Sequence, residues 1–422
     1  PSRSTTPNND GTPIPAGARD PIGILSGEGI DRMKLNGMPI ELAMYPGECL
    51  TNRRFHGFDL GRMEGFYLPR ALTSLLDDSP AETKMFIEDD NRGAILPESV
   101  ATLDGTEFFL SIKGVGSTID PYSWRTLDRS YAADLSDDPV VRERLRRQPA
   151  EPSDRIITGE VWLRGSPYGG QGLDHATTAL QVSERADLTS VAGFLIAPVV
   201  KVSLLPEKLE AQLRSIHWYR KFRGRMVQEL RLVPSNVRIY FHGKSTVGHN
   251  IRHLFDLFSI DSNAQALRFE TNFVRSTVAM LTLFARTMRR GTTQGKYVGL
   301  DYDDVWLDKD AVLAPNGAAY FVDLEGIVEL TLDKDKIPEK IQDQVHRSLY
   351  ELTFAYEQIE GERRRRFGAG GSRKGHFEGV LREALKSDPF VHVQSDGGNV
   401  DLLIQNGCEE ELFYTKFRAV EA

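Results

Sequence analysis

The chain has 422 residues, of which 40% are hydrophobic and 27% are charged, and its formal net charge is −8. This length exceeds what a single hydrophobic core usually serves, so two lobes or domains are expected. The acidic balance argues against general nucleic-acid binding in the absence of a local basic patch. The lack of an uninterrupted apolar run of about 18 residues argues against a membrane-spanning helix, and the two cysteines argue against a disulfide framework.

The first segments of the chain carry weak structural signals. Residues 1–20 are polar and proline-rich, which predicts a disordered tail, and no apolar stretch near the start is typical of a signal peptide. A cytoplasmic location is therefore expected. Residues 21–90 mix short apolar runs with turn residues, and we assign them to an N-terminal extension of undefined role.

Residues 91–243 are predicted to form a sheet-rich N-lobe. The stretch ESVATLDGTEFFLSIKGVGST predicts two strands joined at Asp104 and Gly105, because an Asp-Gly pair between β-rich runs fits a hairpin turn. Lys113 lies near the end of the second strand. The charged residues near 120–157 are predicted to be an insertion.

The middle of the chain alternates predicted helices and strands. A helix is expected from Asp174, which suits an N-cap, and FLIAPVVKVSLL and NVRIYFHG are interpreted as strands separated by a polar helix within 206–233. Residues 263–290 place apolar side chains at the spacing of one helix face. Residues 244–422 are predicted to form a larger, helical C-lobe, so the fold class is α+β.

The segment LDYDDVWLDKDAVLAPNGAAYFVDLEG gathers several carboxylates. Two short strands that meet at an Asn-Gly turn would bring Asp310 and Asp323 together. Paired carboxylates beside a turn suit Mg²⁺, which prefers carboxylate and phosphate oxygens. Asp301, Asp303 and Asp304 precede the hairpin and are candidates for a general base or a further ligand.

Other candidate residues lie in the predicted N-lobe. Lys113 is followed by glycines, which allow a ligand to approach the backbone closely, and its amine suits phosphate oxygens. Glu184, on the predicted helix, is a candidate partner of this lysine. A glycine-rich segment offers backbone N–H groups to phosphates, and an arginine precedes it. The candidates in this segment are Arg164, Ser166, Tyr168, Gly169, Gly170 and Gly172.

These parts, in this order, resemble the protein-kinase-like fold. Asp323-Leu324-Glu325-Gly326 takes the place of the D-F-G motif, and Asp310 stands where that family commonly has an Asn. Within the fold, KGVGST matches the K-G-x-G-x-T motif of the selenoprotein O family, kinase-fold enzymes that transfer AMP. SPYGGQGLDHATTALQVSE resembles the segment that leads into that family's Ser-Glu helix. The resemblance covers roughly residues 95–330.

The resemblance implies a two-lobed enzyme that holds ATP and Mg²⁺ between its lobes and transfers a phosphoryl or AMP group to a protein or small-molecule acceptor. Lys113 would contact phosphates, Glu184 would steer it, and Asp310 and Asp323 would hold the metal. Asp304 is the first choice for the base. Two alternatives stay open: an inactive pseudokinase that binds a nucleotide or a partner, and a nucleic-acid binder that uses the basic segment GERRRRFGAGGSRKGH.

Overall fold

The computed structural model describes residues 39–53, 65–69, 73, 76, 78–89, 93–103, 106–115, 171–185, 188, 191, 193–215, 224–238, 251–302, 307–368, 373–396, 399–405 and 412–417. The protein mixes helices and strands, as the α+β prediction required. The chain divides into two compact units. The first contains the described residues up to Glu184 together with Pro198–Asn236, and the second contains Arg185–Ala197 and the described residues from Val237 onward.

The first unit is built on one antiparallel sheet of nine strands in the order β2-β8-β9-β6-β5-β4-β1-β3, with β7 added beside β9. The strands are β1 Pro39–Tyr45, β2 Cys49–Thr51, β3 Phe66–Pro69, β4 Glu82–Asp89, β5 Gly93–Leu103, β6 Thr106–Lys113, β7 Gln171–Gly172, β8 Val199–Leu204 and β9 Met226–Val233. The helices of this unit are α1 Leu173–Glu184 and α2 Glu207–Ser215.

This sheet curls back on itself. Strands β1 and β2 follow one another closely in sequence, yet β1 pairs near one end of the strand order and β2 pairs with β8 near the other. The three residues between them span only about 10 Å when extended, so the two ends must approach each other. A contact between β9, two strands from one end, and β3, at the other end, shows this approach. The side-chain amide of Gln228 on β9 donates to the carbonyl of Tyr67 on β3 at 2.6 Å and accepts the Tyr67 N–H at 2.7 Å.

Two expectations about this unit need correction. The N-terminal extension was separated from the N-lobe at residue 90, but β1 and β4 belong to the same sheet as β5 and β6. The interval 206–233 was interpreted as helical, but it holds both α2 and β9, and the residues of NVRIYFHG that the structure describes lie after β9. The predicted β5–β6 hairpin is confirmed by its register.

The second unit is mainly helical and carries three small sheets, ordered β10-β11-β14, β12-β13 and β15-β16-β17. Its helices are α3 Ile251–Leu257, α4 Asn263–Leu281, α5 Leu283–Thr287, α6 Leu307–Asp310, α7 Ile337–Phe367 and α8 Arg373–Leu385. Its strands are β10 Arg289–Arg290, β11 Lys296–Tyr302, β12 Ala311–Leu313, β13 Ala319–Phe321, β14 Ile327–Asp333, β15 Val391–Asp396, β16 Asn399–Gln405 and β17 Leu412–Phe417.

Helix α4 forms the core of this unit and matches the predicted apolar stripe. It starts at Ser262, whose hydroxyl accepts the N–H of Gln265 at 3.3 Å as an N-cap. Val274 and Val278 are fully buried, and α4 packs against α7 and α8. The same helix contacts β13, the strand that leads to Asp323.

Candidate active site

The predicted hairpin that carries the acidic pair is present in the second unit. Strands β12 and β13 pair Ala311 with Phe321 and Leu313 with Ala319. The turn contains Gly317 at a φ of 93°, and a Cβ there would lie 2.2 Å from the carbonyl oxygen of Phe269. Only glycine fits both this backbone conformation and this close approach to α4.

Asp310 and Asp323 lie at the open end of this hairpin. Asp310 ends α6 and is buried, and its carbonyl accepts the Val322 N–H at 2.9 Å. Asp323 follows Val322 directly and is half-buried. Its backbone, at φ −104° and ψ 65°, is no longer that of a strand and precedes a short 3-10 helix. The backbone of the two strands thus brings these acidic residues to neighbouring positions.

The outer edge of β13 is also held in place. The Phe321 N–H donates to the Leu195 carbonyl at 3.0 Å, and the Ala197 N–H donates to the Phe321 carbonyl at 2.7 Å. A short parallel bridge between Ile196 and Phe321 results. Since β13 is bonded on both sides, the Asp323 backbone starts from a fixed position.

The donor set at the hairpin fits Mg²⁺. Two carboxylates of the same charge cannot neutralise each other, and Mg²⁺ is commonly held by one or two carboxylates together with water and phosphate oxygens. Within the described ranges, no group of three or more His, Cys, Asp or Glu side chains is placed to hold a metal. A bound magnesium ion at Asp310 and Asp323 would therefore draw its other ligands from solvent and substrate.

Asp301, one candidate for the general base, is committed to other side chains. It lies buried on β11, forms an ion pair with the Lys340 amine, and accepts a hydrogen bond from the Gln344 amide. Both partners come from α7. The other two candidates, Asp303 and Asp304, lie outside the described residues.

In the first unit, Lys113 is the last residue of β6 and is buried, with 5% of its surface exposed. It lies opposite Gly93 on one side and Glu229 on the other. Gly114, which follows it, has a φ of 99°, so the chain turns away from the sheet at this point. The lysine is thus held at the end of a strand in the middle of the sheet.

Glu184, the predicted partner of this lysine, ends α1, and its Oε1 accepts the Arg53 N–H at 2.8 Å. Gly172 lies in β7 opposite Met226, so its backbone is part of the sheet. The other candidates of the glycine-rich segment, Arg164, Ser166, Tyr168, Gly169 and Gly170, lie outside the described residues.

Sequence reasoning missed two buried charged residues beside Lys113, Glu229 and Arg231 on β9. Both are at most 4% exposed. The stretch MVQELRLV was interpreted as helical because of its polar residues, although Leu230 and Leu232 alternate with charged residues in the period of a strand. That alternation was the signal that could have identified them.

The arginine run at the end of α7 is paired within the second unit. Arg363, at 3% exposure, donates to the fully buried Glu270 at 2.6 Å, and Arg366 donates to Asp256 at 2.7 Å. Arg365 and Arg366 both bond Glu362. These ion pairs give the run a structural role and weaken its interpretation as a nucleic-acid surface.

Comparisons with known proteins add no relative: protein-family models, curated proteins and solved structures were all searched, and none matches this chain. In the part of the chain that the structure describes, no helix has the length and apolar character needed to cross a membrane.

Proposed function

We propose that this protein is an ATP- and Mg²⁺-dependent transferase of the protein-kinase-like type, which moves a phosphoryl or AMP group from ATP to a protein or small-molecule acceptor. The observation that carries the proposal is the β12–β13 hairpin with Asp310 and Asp323 at its open end. It offers two carboxylates of like charge on a rigid backbone. A divalent cation is the natural counter-charge for such a pair.

The order of elements in the first unit supports the same proposal. Strand β6, which ends at Lys113, is followed in sequence by β7, α1, β8, α2 and β9, and β9 lies between β6 and β8 in the sheet. A strand lysine followed by a helix that ends in a glutamate is the arrangement that the kinase resemblance implies. The long α4 and the acidic hairpin then follow in the expected sequence order.

Each residue has a defined part in this proposal. Bound magnesium would neutralise charge on the phosphates, and Asp310 and Asp323 would hold it. Lys113 would place a positive charge on phosphate oxygens, which lowers the energy of the transferring group. Asp304 remains the proposed base, which would accept the proton of the acceptor's attacking hydroxyl.

A second candidate function is a nucleotide-binding or partner-binding module without turnover. The observation that favours it is the commitment of Asp301 to Lys340 and Gln344, because a carboxylate already occupied by two side chains is not placed to receive a proton from an acceptor. This candidate binds a nucleotide or a partner and predicts no transfer.

The test is incubation of the full chain with Mg²⁺ and ATP labelled separately at the α and γ positions. Label from the α position in protein indicates AMP transfer, and label from the γ position indicates phosphoryl transfer. Asp323→Ala should reduce transfer by about 10² to 10³-fold, because the developing charge loses its metal. Asp335→Ala, which alters an exposed carboxylate of the same unit, is the matched control and should transfer like the wild type.

The outcomes separate the two candidates. ATP binding by calorimetry without label from either position supports the binding module and contradicts the transferase. No ATP binding at all contradicts the transferase and the nucleotide-binding module, and leaves the partner-binding module.

A further inference from the structure

Four polar side chains lie buried together on the two central strands of the first unit. Ser111 and Lys113 come from β6, and Glu229 and Arg231 come from β9. Their exposures are 0%, 5%, 0% and 4%, respectively. We call these four residues the polar row. Charged side chains are rarely buried to this extent unless they are paired or bind something.

The register places all four on one face of the sheet. Lys113 lies directly opposite Glu229, and Ser111 lies directly opposite Arg231. Residues opposite each other in an antiparallel pair point to the same face, with Cβ atoms about 5 Å apart. Residues two apart on a strand also share a face, so the two pairs form one contiguous patch.

Small or apolar residues border the polar row on the neighbouring strands. Gly93 on β5 lies opposite Lys113, and Val202 on β8 lies opposite Glu229. Neither can form an ion pair. Gly93 therefore adds no side chain to the sheet face beside Lys113.

The charges of the polar row are unequal. Lys113 and Arg231 are cations and Glu229 is the one carboxylate of the four, with its Oε1 3.8 Å from an Arg231 Nη1. Glu229 thus occupies the position between two cations. The excess positive charge suits an anionic ligand such as a phosphate group, and the carboxylate limits the cost of burying two cations side by side.

We propose that Glu229 is the positioning residue of Lys113, in the place that the kinase resemblance gave to Glu184. This inference rests on the proposed function, since it assigns Lys113 to the phosphates of the nucleotide. Glu229 lies directly opposite Lys113 on the adjacent strand, whereas Oε1 of Glu184 accepts the backbone N–H of Arg53. The lysine is therefore oriented by the sheet itself.

This arrangement has a physical consequence for the lysine. Strands β6 and β9 are paired continuously from Phe109 opposite Val233 to Lys113 opposite Glu229. A carboxylate on a paired strand stays at a fixed distance from the lysine, whereas one at a helix end moves whenever the helix shifts. The orientation of Lys113 then needs no rearrangement of α1 when nucleotide binds.

The experiment measures ATP affinity by calorimetry and transfer rate with labelled ATP, on the full chain with Mg²⁺. Glu229→Gln should lower kcat about tenfold or more with a smaller change in ATP affinity, because the lysine amine loses its orientation rather than its charge. Glu229→Asp, which keeps the carboxylate, should recover part of the loss. Glu184→Gln should lower kcat less than Glu229→Gln does.

Two further variants guard against a purely structural effect. Glu107→Gln changes a partly exposed carboxylate on the same strand as Lys113 and should leave kcat unchanged. The double variant Glu229→Gln/Arg231→Gln preserves the charge balance of the polar row, so it remains informative if the single variant does not fold. The kcat of the double variant should be lower than that of Arg231→Gln by the same factor by which Glu229→Gln is lower than wild type.

Equal kcat for folded Glu229→Gln and wild type overturns the inference, as does a larger loss for Glu184→Gln than for Glu229→Gln. If Glu229→Gln does not fold, equal kcat for the double variant and Arg231→Gln overturns it in the same way. These results leave the proposed function standing, because the wild type still transfers. Absence of transfer by the wild type overturns the proposed function, and this inference with it.

Discussion

The acidic end of the β12–β13 hairpin and the arginine run of α7 are both dense clusters of charge, but the structure handles them differently. In the run, Arg363, Arg364 and Arg366 each donate to a carboxylate of the same chain. At the hairpin, Asp310 and Asp323 come to neighbouring positions with the same sign of charge. Opposite charges that pair internally hold the fold together, whereas the hairpin brings two residues of like charge to neighbouring positions, where we propose that a metal binds.

This contrast also separates two kinds of mutational effect. Removing a member of a paired cluster leaves its partner buried without compensation, and the loss appears as stability. If the proposed metal site is correct, removing one of the two hairpin carboxylates should instead appear as a loss in binding and catalysis. The predictions below test this separation, beginning with the largest expected effect.

Arg363→Met should be the most destabilising of these substitutions. It leaves the carboxylate of Glu270, which is fully buried, without its guanidinium partner, and such a loss costs about 3 to 5 kcal/mol. In a unit of this size the midpoint of thermal unfolding should fall by roughly 10 °C. Differential scanning calorimetry measures this fall.

Two controls define the cause of that effect. Arg382→Met removes an exposed arginine that pairs with Glu378 on α8, and it should barely move the midpoint. The double variant Arg363→Met/Glu270→Met should recover much of the loss, because neither charge remains buried alone. An equal loss in the double and single variants would show that packing, not charge, explains the result.

Gln228→Ala tests whether a neutral polar group committed to the fold behaves in the same way. Its side-chain amide makes both hydrogen bonds to the Tyr67 backbone, which joins the two ends of the curled sheet. Losing them leaves a buried N–H and a buried carbonyl unsatisfied, at a cost of about 2 kcal/mol. Urea unfolding measures this cost, and Gln342→Ala, at an exposed position, should show none.

The sequence predicted the elements whose signals are local. The β12–β13 hairpin follows from an Asn-Gly turn between apolar runs, and α4 follows from its helical spacing of apolar residues. Both carry their pattern within fewer than 30 consecutive residues. The positions of Asp310 and Asp323 could be predicted for the same reason.

The sequence did not predict features that depend on distant partners. Strand β9 contains Gln228, Glu229 and Arg231, whose polarity resembles an exposed helix, and only the neighbouring strands show why they are buried. Strands β1 and β2 join opposite ends of one sheet, which no local pattern encodes. The position of Glu229 opposite Lys113 depends on the same pairing of strands that are distant in sequence.

Asp310→Asn tests whether the acidic pair at the hairpin binds Mg²⁺. The kinase resemblance places an Asn at this position, and an amide oxygen still coordinates a hard cation, though more weakly than a carboxylate. We expect the concentration of Mg²⁺ that gives half-maximal transfer to rise about tenfold, with thermal stability unchanged or slightly higher. Magnesium titration of the transfer rate measures the first, and a fall in stability without a shift in Mg²⁺ dependence would contradict a metal role.

Glu362→Gln should have the smallest effect, and it should depend on pH. Burial raises the pKa of the Glu362 carboxyl, but hydrogen bonds from Arg365 and Arg366 outweigh this and hold its pKa below the ordinary value of 4.5. A carboxyl whose pKa is lowered by folding stabilises the protein fully above 4.5, and this contribution is lost as the pH falls below 4.5 through the lower folded value. The difference in unfolding midpoint between wild type and Glu362→Gln should therefore be largest near neutral pH and shrink below pH 4.5. A difference that stays constant across this range would mean that Glu362 acts by packing, and the arginine run would then owe its stability to something other than paired charge.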